Sequence, residues 1–151
     1  MSHSKAGLFA TLSLGVVYLL LFIAGTWSQG YIGFETRFAL FAREMFANGP
    51  GWFPTTFGQP YPDYPAMSTL LIYLVAITLG EVNKFATVLP TAISSAITVL
   101  LAYRIMRHYD KDWAFYCVVI LLLTNTFATE ARAISLDQSI ATINIVSFYL
   151  V

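Results

Sequence analysis

"FATVLPTAISSAITVLLAYRIMRHYDKDWAFYCVVILLLTNTFAT", residues 85–129, decides the fold. It holds two uncharged apolar runs, 85–103 and 113–129, joined through the charged decapeptide "RIMRHYDKDW", whose Trp113 opens the second run. Each run is near the ~20 residues that a helix needs to cross hydrocarbon. The basic cluster Arg104, Arg107 and Lys111 between them fixes the orientation, because short cytoplasmic connections carry the excess of Lys and Arg. The stretch therefore reads as a helical hairpin with its turn in the cytoplasm. Pro90, Ser94, Ser95 and Thr98 predict a bent first helix, packed on its neighbours through small residues.

Composition agrees. Of 151 residues, 58% are hydrophobic and only 11% charged, which is the composition of a membrane protein. Eight basic and eight acidic residues cancel. No basic footprint for nucleic acid and no polybasic patch for anionic lipid follows from such a balance. Cys117 stands alone within "FYCVVILLL" and reads as a small hydrophobe, with no disulfide available inside one chain.

Working outward, "AGLFATLSLGVVYLLLFIAGTW" (6–27) is a further uncharged run, preceded by Lys5 and followed by the interfacial aromatics Trp27 and Tyr31. It exceeds a signal-peptide core and lacks a small-x-small cleavage site, so it reads as an uncleaved first span. A fourth run, "QSIATINIVSFYLV", follows Asp137, and the chain stops inside it, as expected of the amino-terminal part of a longer protein. The expected spans are about 6–28, 85–106, 112–130 and 138–151.

The run "AMSTLLIYLVAITLG" (66–80) is too short to cross comfortably. Topology leaves it no crossing: if Lys5 is inside, the first span runs outward and the next must run inward to place Arg104 and Arg107 in the cytoplasm. Residues 28–84 then form one large extracytoplasmic loop with helices at about 35–47 and 66–79, lying on or dipping into the outer face. In the first of these, Phe34, Phe38, Phe41 and Met45 fall on one stripe, and Asn48-Gly49-Pro50 ends it. That pattern suits a helix lying in the interface.

The same topology returns Asp137 to the outer face. Glu35, Arg37, Asp63, Glu130, Arg132 and Asp137 then share one side of the membrane. Taken singly, each is an ordinary solvated flank, and Glu35 at a helix start also complements the macrodipole. Together they offer carboxylates to accept a proton and arginines to grip phosphate oxygens bidentately. A lipid-phosphate-linked group reacting with a hydroxyl needs both. His3 and His108 lie too far apart in this topology to share a metal, and no glycine-rich phosphate loop is present.

Four segments, "GFETRFALFAREMFANGPGWFP", "GQPYPDYPAMSTLLIYLVAITLGEVNKFATVLPT", "AYRIMRHYDKDWA" and "TEARAISLDQSIATINIVSFYLV", are similar in order and spacing to the amino-terminal third of bacterial GT-C membrane glycosyltransferases. The chain most resembles the lipid A aminoarabinose transferase group and its relatives in the protein O-mannosyltransferase superfamily. The resemblance implies an all-α integral membrane fold, a GT-C-like amino-terminal module of about four transmembrane helices with a large first extracytoplasmic loop carrying interfacial helices. It further implies inverting sugar transfer from an undecaprenyl-phosphate or other polyprenyl-phosphate donor to a lipid, glycan or protein acceptor. The expected place is the outer face of a bacterial inner membrane.

The family's Asp-Glu-Thr-Arg-Tyr-Ala stands here as Phe34-Glu35-Thr36-Arg37-Phe38-Ala39, so Phe34 occupies the place of the family's catalytic acid. Its Tyr-x-Glu-Lys-Pro reads Tyr61-Pro62-Asp63-Tyr64-Pro65, with Tyr64 in place of the lysine. Leu136-Asp137 resembles the leucine-aspartate that opens a later span. The resemblance thus implies Glu35 and Asp137 as candidates for the carboxylate base, with Arg37, Arg43, Asp63, Tyr61, Tyr64 and Arg132 as candidates for holding donor phosphate or substrate. Asp63 is also a candidate ligand for a divalent metal. With Phe34 unable to accept a proton, three readings stay open: Glu35 or Asp137 supplies the base, the acid lies elsewhere in a longer chain, or the protein is a non-catalytic subunit or degenerate paralogue that binds the donor. A transporter is a further class, though mid-span charges, the usual mark of a substrate path, are missing.

Overall fold

A computed structural model describes the backbone of residues 2–151 and the side chains of residues 13–26 and 28–151. Lys5 and Trp27, expected to flank the first span, lie outside the described side chains. The chain runs α1 (Ser2–Ile23), a 3-10 turn (Thr26–Ser28), α2 (Glu35–Asn48), a small antiparallel hairpin β1 (Thr55–Thr56) and β2 (Gln59–Pro60), then α3 (Met67–Leu79), α4 (Lys84–Tyr109), α5 (Lys111–Leu123), α6 (Asn125–Glu130) and α7 (Leu136–Leu150).

The organising element is α4. Its 26 residues span about 39 Å, and among the described residues it is the one helix long and apolar enough to cross a membrane unaided. Asn83 starts it, its side chain accepting from Ala86 N at 2.8 Å. Pro90 lies inside it, and it buries a seam of small residues: Ala92, Ser95, Ala96 and Val99. That seam lets α1, α5 and α7 all pack on α4. The approach of α1 is close enough that a Cβ on Gly15 would fall 2.7 Å from the Leu100 side chain. Asp110 turns the chain between α4 and α5 in a single residue. Its backbone N–H donates to Met106 O at 2.9 Å, while its carboxylate accepts from Asp112 N at 2.7 Å and Trp113 N at 3.0 Å. The stretch 112–130 is broken: Thr124 takes an extended conformation and separates α5 from α6.

Two hydrophobic cores result. The bundle core gathers Phe22, Ala92, Ala96, Val99, Val118 and Ala131. The loop core gathers Phe38, Phe41, Ala42, Ile72, Val88 and Ile134, with Tyr61 and Tyr64 packed against it. Three members of the α2 stripe, Phe38, Phe41 and Met45, are buried within the protein, whereas Phe34 at the helix start is 72% exposed. The short α3, 13 residues and about 20 Å long, packs on α2 and α4. It leaves Met67, Leu74 and Ile77 exposed.

Candidate functional site

An open cavity of about 810 Å³ lies where the chain leaving α1 meets the turn between α6 and α7. One wall is residues 29–35 and the other residues 128–137, with Lys84 at the start of α4 and Tyr64 completing it. The second wall exists because α6 ends in a tight turn. Ala131 N and Arg132 N donate to Phe127 O and Thr129 O at 2.9 and 3.1 Å, and Ser135 caps α7 by accepting from Gln138 N at 3.4 Å. Ser135 N donates to Thr91 Oγ1 of α4 at 3.3 Å, fastening this turn to the central helix.

Of the residues singled out from sequence, Glu35, Tyr64, Arg132 and Asp137 line this cavity, as does Glu130. Arg37, Arg43, Asp63 and Tyr61 do not. Arg37 lies beyond Phe34, its guanidinium 5.7 Å from the Tyr61 ring centroid and 6.0 Å from that of Phe34, with Nη1 donating to Tyr61 Oη at 3.5 Å. It lines a smaller hollow of about 310 Å³ with Phe34 and Thr36. Arg43 and Asp63 are exposed. Tyr61 and Tyr64 stack on each other, centroids 6.0 Å apart and planes 12° apart, and both pack on the Phe38–Phe41 cluster.

The two candidate bases differ sharply in surroundings. Glu35 is 8% exposed, and both its oxygens are engaged. Oε2 accepts from Lys84 Nζ at 2.6 Å and from Ile32 N at 2.9 Å, and Oε1 accepts from Ile134 N at 3.2 Å. Asp137, in the first turn of α7, is exposed to the cavity and makes no hydrogen bond or ion pair among the described residues. Arg132 lines the cavity and donates from Nη2 to Ala24 O at 2.6 Å, satisfying a carbonyl beyond the end of α1. Among the described residues no group of three His, Cys, Asp or Glu side chains could hold a metal ion. Asp63, the candidate ligand, stands apart from the cavity.

Lys84 also lines the cavity, although no motif in the sequence singles it out. A signal was there. A lysine at the first position of a helix opposes the positive end of the macrodipole, so it needs an anionic neighbour from elsewhere in the fold. Glu35, itself at a helix start, is that neighbour.

The sequence model of the dolichyl-phosphate-mannose-protein mannosyltransferase family matches residues 69–151, which carry most of α3, α4 through α7 and the second wall of the cavity. The chain belongs to this family. It is also similar to an undecaprenyl phosphate-alpha-4-amino-4-deoxy-L-arabinose arabinosyl transferase 2 of Pseudomonas fluorescens, 30% identical over 128 residues that are 83% of this chain and 21% of the relative. An undecaprenyl phosphate-alpha-4-amino-4-deoxy-L-arabinose arabinosyl transferase of Pseudomonas aeruginosa is 26% identical over 140 residues, 91% of this chain and 25% of the relative. The chain therefore spans about a fifth to a quarter of the length of these curated relatives. No solved structure matches it.

Proposed function

We propose that this mannosyltransferase-family chain builds the sugar-transfer site of a membrane glycosyltransferase that uses a polyprenyl-phosphate-linked donor. The reading rests above all on the cavity in which an unengaged carboxylate, Asp137, shares a wall with Arg132. Inverting transfer needs those two functions within one site. A base takes the proton from the acceptor hydroxyl as its oxygen attacks the anomeric carbon, and the sugar–phosphate bond breaks with its electron pair going to the phosphate oxygen. In this reading Asp137 is the base, and the Arg132 guanidinium stabilises the negative charge gathering on the departing lipid phosphate. The relatives named for undecaprenyl-phosphate-linked aminoarabinose support the donor class. The acceptor is a lipid, glycan or protein hydroxyl.

The reading also carries a topology. Loop 28–84 and the cavity lie on the extracytoplasmic side of a bacterial inner membrane. The crossings are α1, α4, the α5–α6 pair and α7, and the exposed apolar side chains of α3 rest against lipid. One observation favours a second reading, a donor-binding but non-catalytic protein: Phe34, at the mouth of the cavity, brings no proton acceptor to the place where the related pattern has its acid.

Sugar transfer from a radiolabelled undecaprenyl-phosphate donor, in membranes carrying the full-length protein, separates the two. Asp137→Asn should lower kcat by about a hundredfold, the ordinary worth of a general base, with donor binding retained. Transfer unchanged in Asp137→Asn would remove the base assignment, and donor binding without any transfer by the unmodified protein would establish the second reading.

A further inference from the structure

We propose that Lys84 and Glu35 act as a positioning pair that holds the Arg132–Asp137 wall of the cavity in place, and that Lys84 is not a ligand for the donor phosphate; the inference rests on the sugar-transfer reading of this cavity. A lysine lining a site for an anionic donor invites the phosphate role at once. Its surroundings point elsewhere. Nζ lies 2.6 Å from Glu35 Oε2, donates also to Gly30 O at 3.3 Å, and sits 5.0 Å from the Tyr31 ring centroid. These partners take up its donors and cancel its charge, and the residue is 8% exposed.

What the pair does follows from the other oxygen. Glu35 Oε1 accepts from Ile134 N, a residue 99 positions further along the chain. One carboxylate thereby joins three segments: the strand of loop at Gly30–Ile32, the start of α4, and the turn that lies two residues after Arg132 and three before Asp137. The neighbouring amide, Ser135 N, is fastened to α4 by Thr91. Two consecutive amides of the wall are thus fixed by different elements, and Lys84 is what holds the Glu35 carboxylate oriented toward Ile134. Carboxylate acceptors give the stronger and shorter backbone hydrogen bonds, so a neutral amide in place of Glu35 would hold this wall less firmly. A displacement near 1 Å of a catalytic group is enough to cost on the order of a hundredfold in rate.

The test compares Lys84→Met, Lys84→Arg, Glu35→Gln and the double variant Glu35→Gln/Lys84→Met in the full-length protein. Two readouts are needed: donor KM and kcat for transfer, and amide hydrogen exchange at residues 132–137. Positioning predicts that Lys84→Met lowers kcat more than about tenfold with donor KM changed less than about threefold, that Lys84→Arg restores most of the loss, and that the double variant is no worse than the poorer single one. Exchange at Ile134 and its neighbours should rise in Lys84→Met and Glu35→Gln while that of α4 stays as it is. A donor KM raised tenfold with kcat unchanged would make Lys84 a phosphate ligand and overturn the proposal, as would exchange at 132–137 unaltered in both single variants. The exchange result does not depend on turnover. Loss of protection in a protein that transfers no sugar would leave the pair standing and remove the sugar-transfer reading, and normal transfer with unaltered exchange would do the reverse.

Discussion

The two cores of this molecule are made of different material. In the bundle core the small side chains Ala92, Ala96, Val99 and Ala131 let helix backbones approach, and one large buried ring, Phe22, meets Phe127 edge-to-face at 6.0 Å and 72°. The loop core is aromatic, with Phe38 and Tyr64 at 5.3 Å and 73°, Phe41 and Tyr61 at 5.3 Å, and a buried ion pair along its edge. The cavity opens along the edge of the loop core, and Ile134 belongs both to that core and to the cavity wall. A helix surrounded by lipid gains little from large apolar side chains, because lipid tails solvate them equally well. A loop in water must bury large rings to repay the entropy of ordering its backbone. If that contrast is correct, equal truncations should hurt the two cores unequally.

The largest expected effect is at the ion pair. Glu35→Ala leaves Lys84 buried without a counter-charge and should cost roughly 3–5 kcal/mol, measured as thermal or denaturant unfolding of the loop in detergent. Destabilisation under 1 kcal/mol would mean that water reaches Lys84 freely. Next comes Phe41, fully buried among Phe38, Tyr61 and Tyr64. Phe41→Ala should cost about 3–5 kcal/mol. Phe22→Ala, nearly as buried but in the bundle, is the same truncation and should cost less, because lipid solvates the ring in the reference state. A Phe22 effect equal to that of Phe41 would break the distinction between the cores.

Smaller still is the polar seam between α4 and α7. Thr142 Oγ1 lies 2.8 Å from both Thr98 Oγ1 and Ser94 O. Thr142→Val should cost about 0.6 kcal/mol, since interhelical hydrogen bonds in lipid are worth little more than that on average. A loss of several kcal/mol would show that the seam, and not the small-residue contact, sets the α4–α7 register.

The helices of the bundle were legible because runs without charge, bounded by "RIMRHYDKDW", mark where α4 and α5 lie. The loop was legible only in pieces. The periodicity of Phe38, Phe41 and Met45 marks an amphipathic helix, yet it cannot say whether the stripe meets lipid or protein, and here it meets α3 and the rings of Tyr61 and Tyr64. The candidate site shows the same limit. Asp137 and Arg132 stand five residues apart and could be read together, whereas the partner of Glu35 is 49 residues away. Pattern and periodicity report local spacing, and the Glu35–Lys84 pair is a tertiary contact between two helix starts. Phe34 shows it from the other side: it belongs to the same sequence stripe as Phe38 and Phe41, yet the structure leaves its ring exposed beside Arg37.

The smallest effect belongs to the hairpin at the rim of the loop core. Its turn places Phe57 in the left-handed region, φ 51, which a residue with a side chain adopts reluctantly. Glu44 on α2 compensates: its carboxylate accepts from Phe57 N and from Gly58 N, the latter at 3.2 Å. The hydrogen bond from the Thr55 side chain does most to hold the Glu44 carboxyl below the usual glutamate range; the two backbone N–H groups add to it and partial burial works against them. A lowered folded-state value means that the stabilisation is present above the unfolded glutamate pKa, about 4.3, and is lost as pH falls through the folded value. Because the group is open to solvent, its worth should stay below about 0.5 kcal/mol. Amide exchange at Phe57 and Gly58, compared between the unmodified protein and Glu44→Gln, should therefore differ by a small factor at pH 6–7, with the difference closing as the pH falls below about 4. No difference at pH 6–7 would mean that the turn is held by the strand pairing alone and that the carboxylate only accompanies it, and a difference that persists unchanged through acid would mean that ionisation of Glu44 is not what holds it.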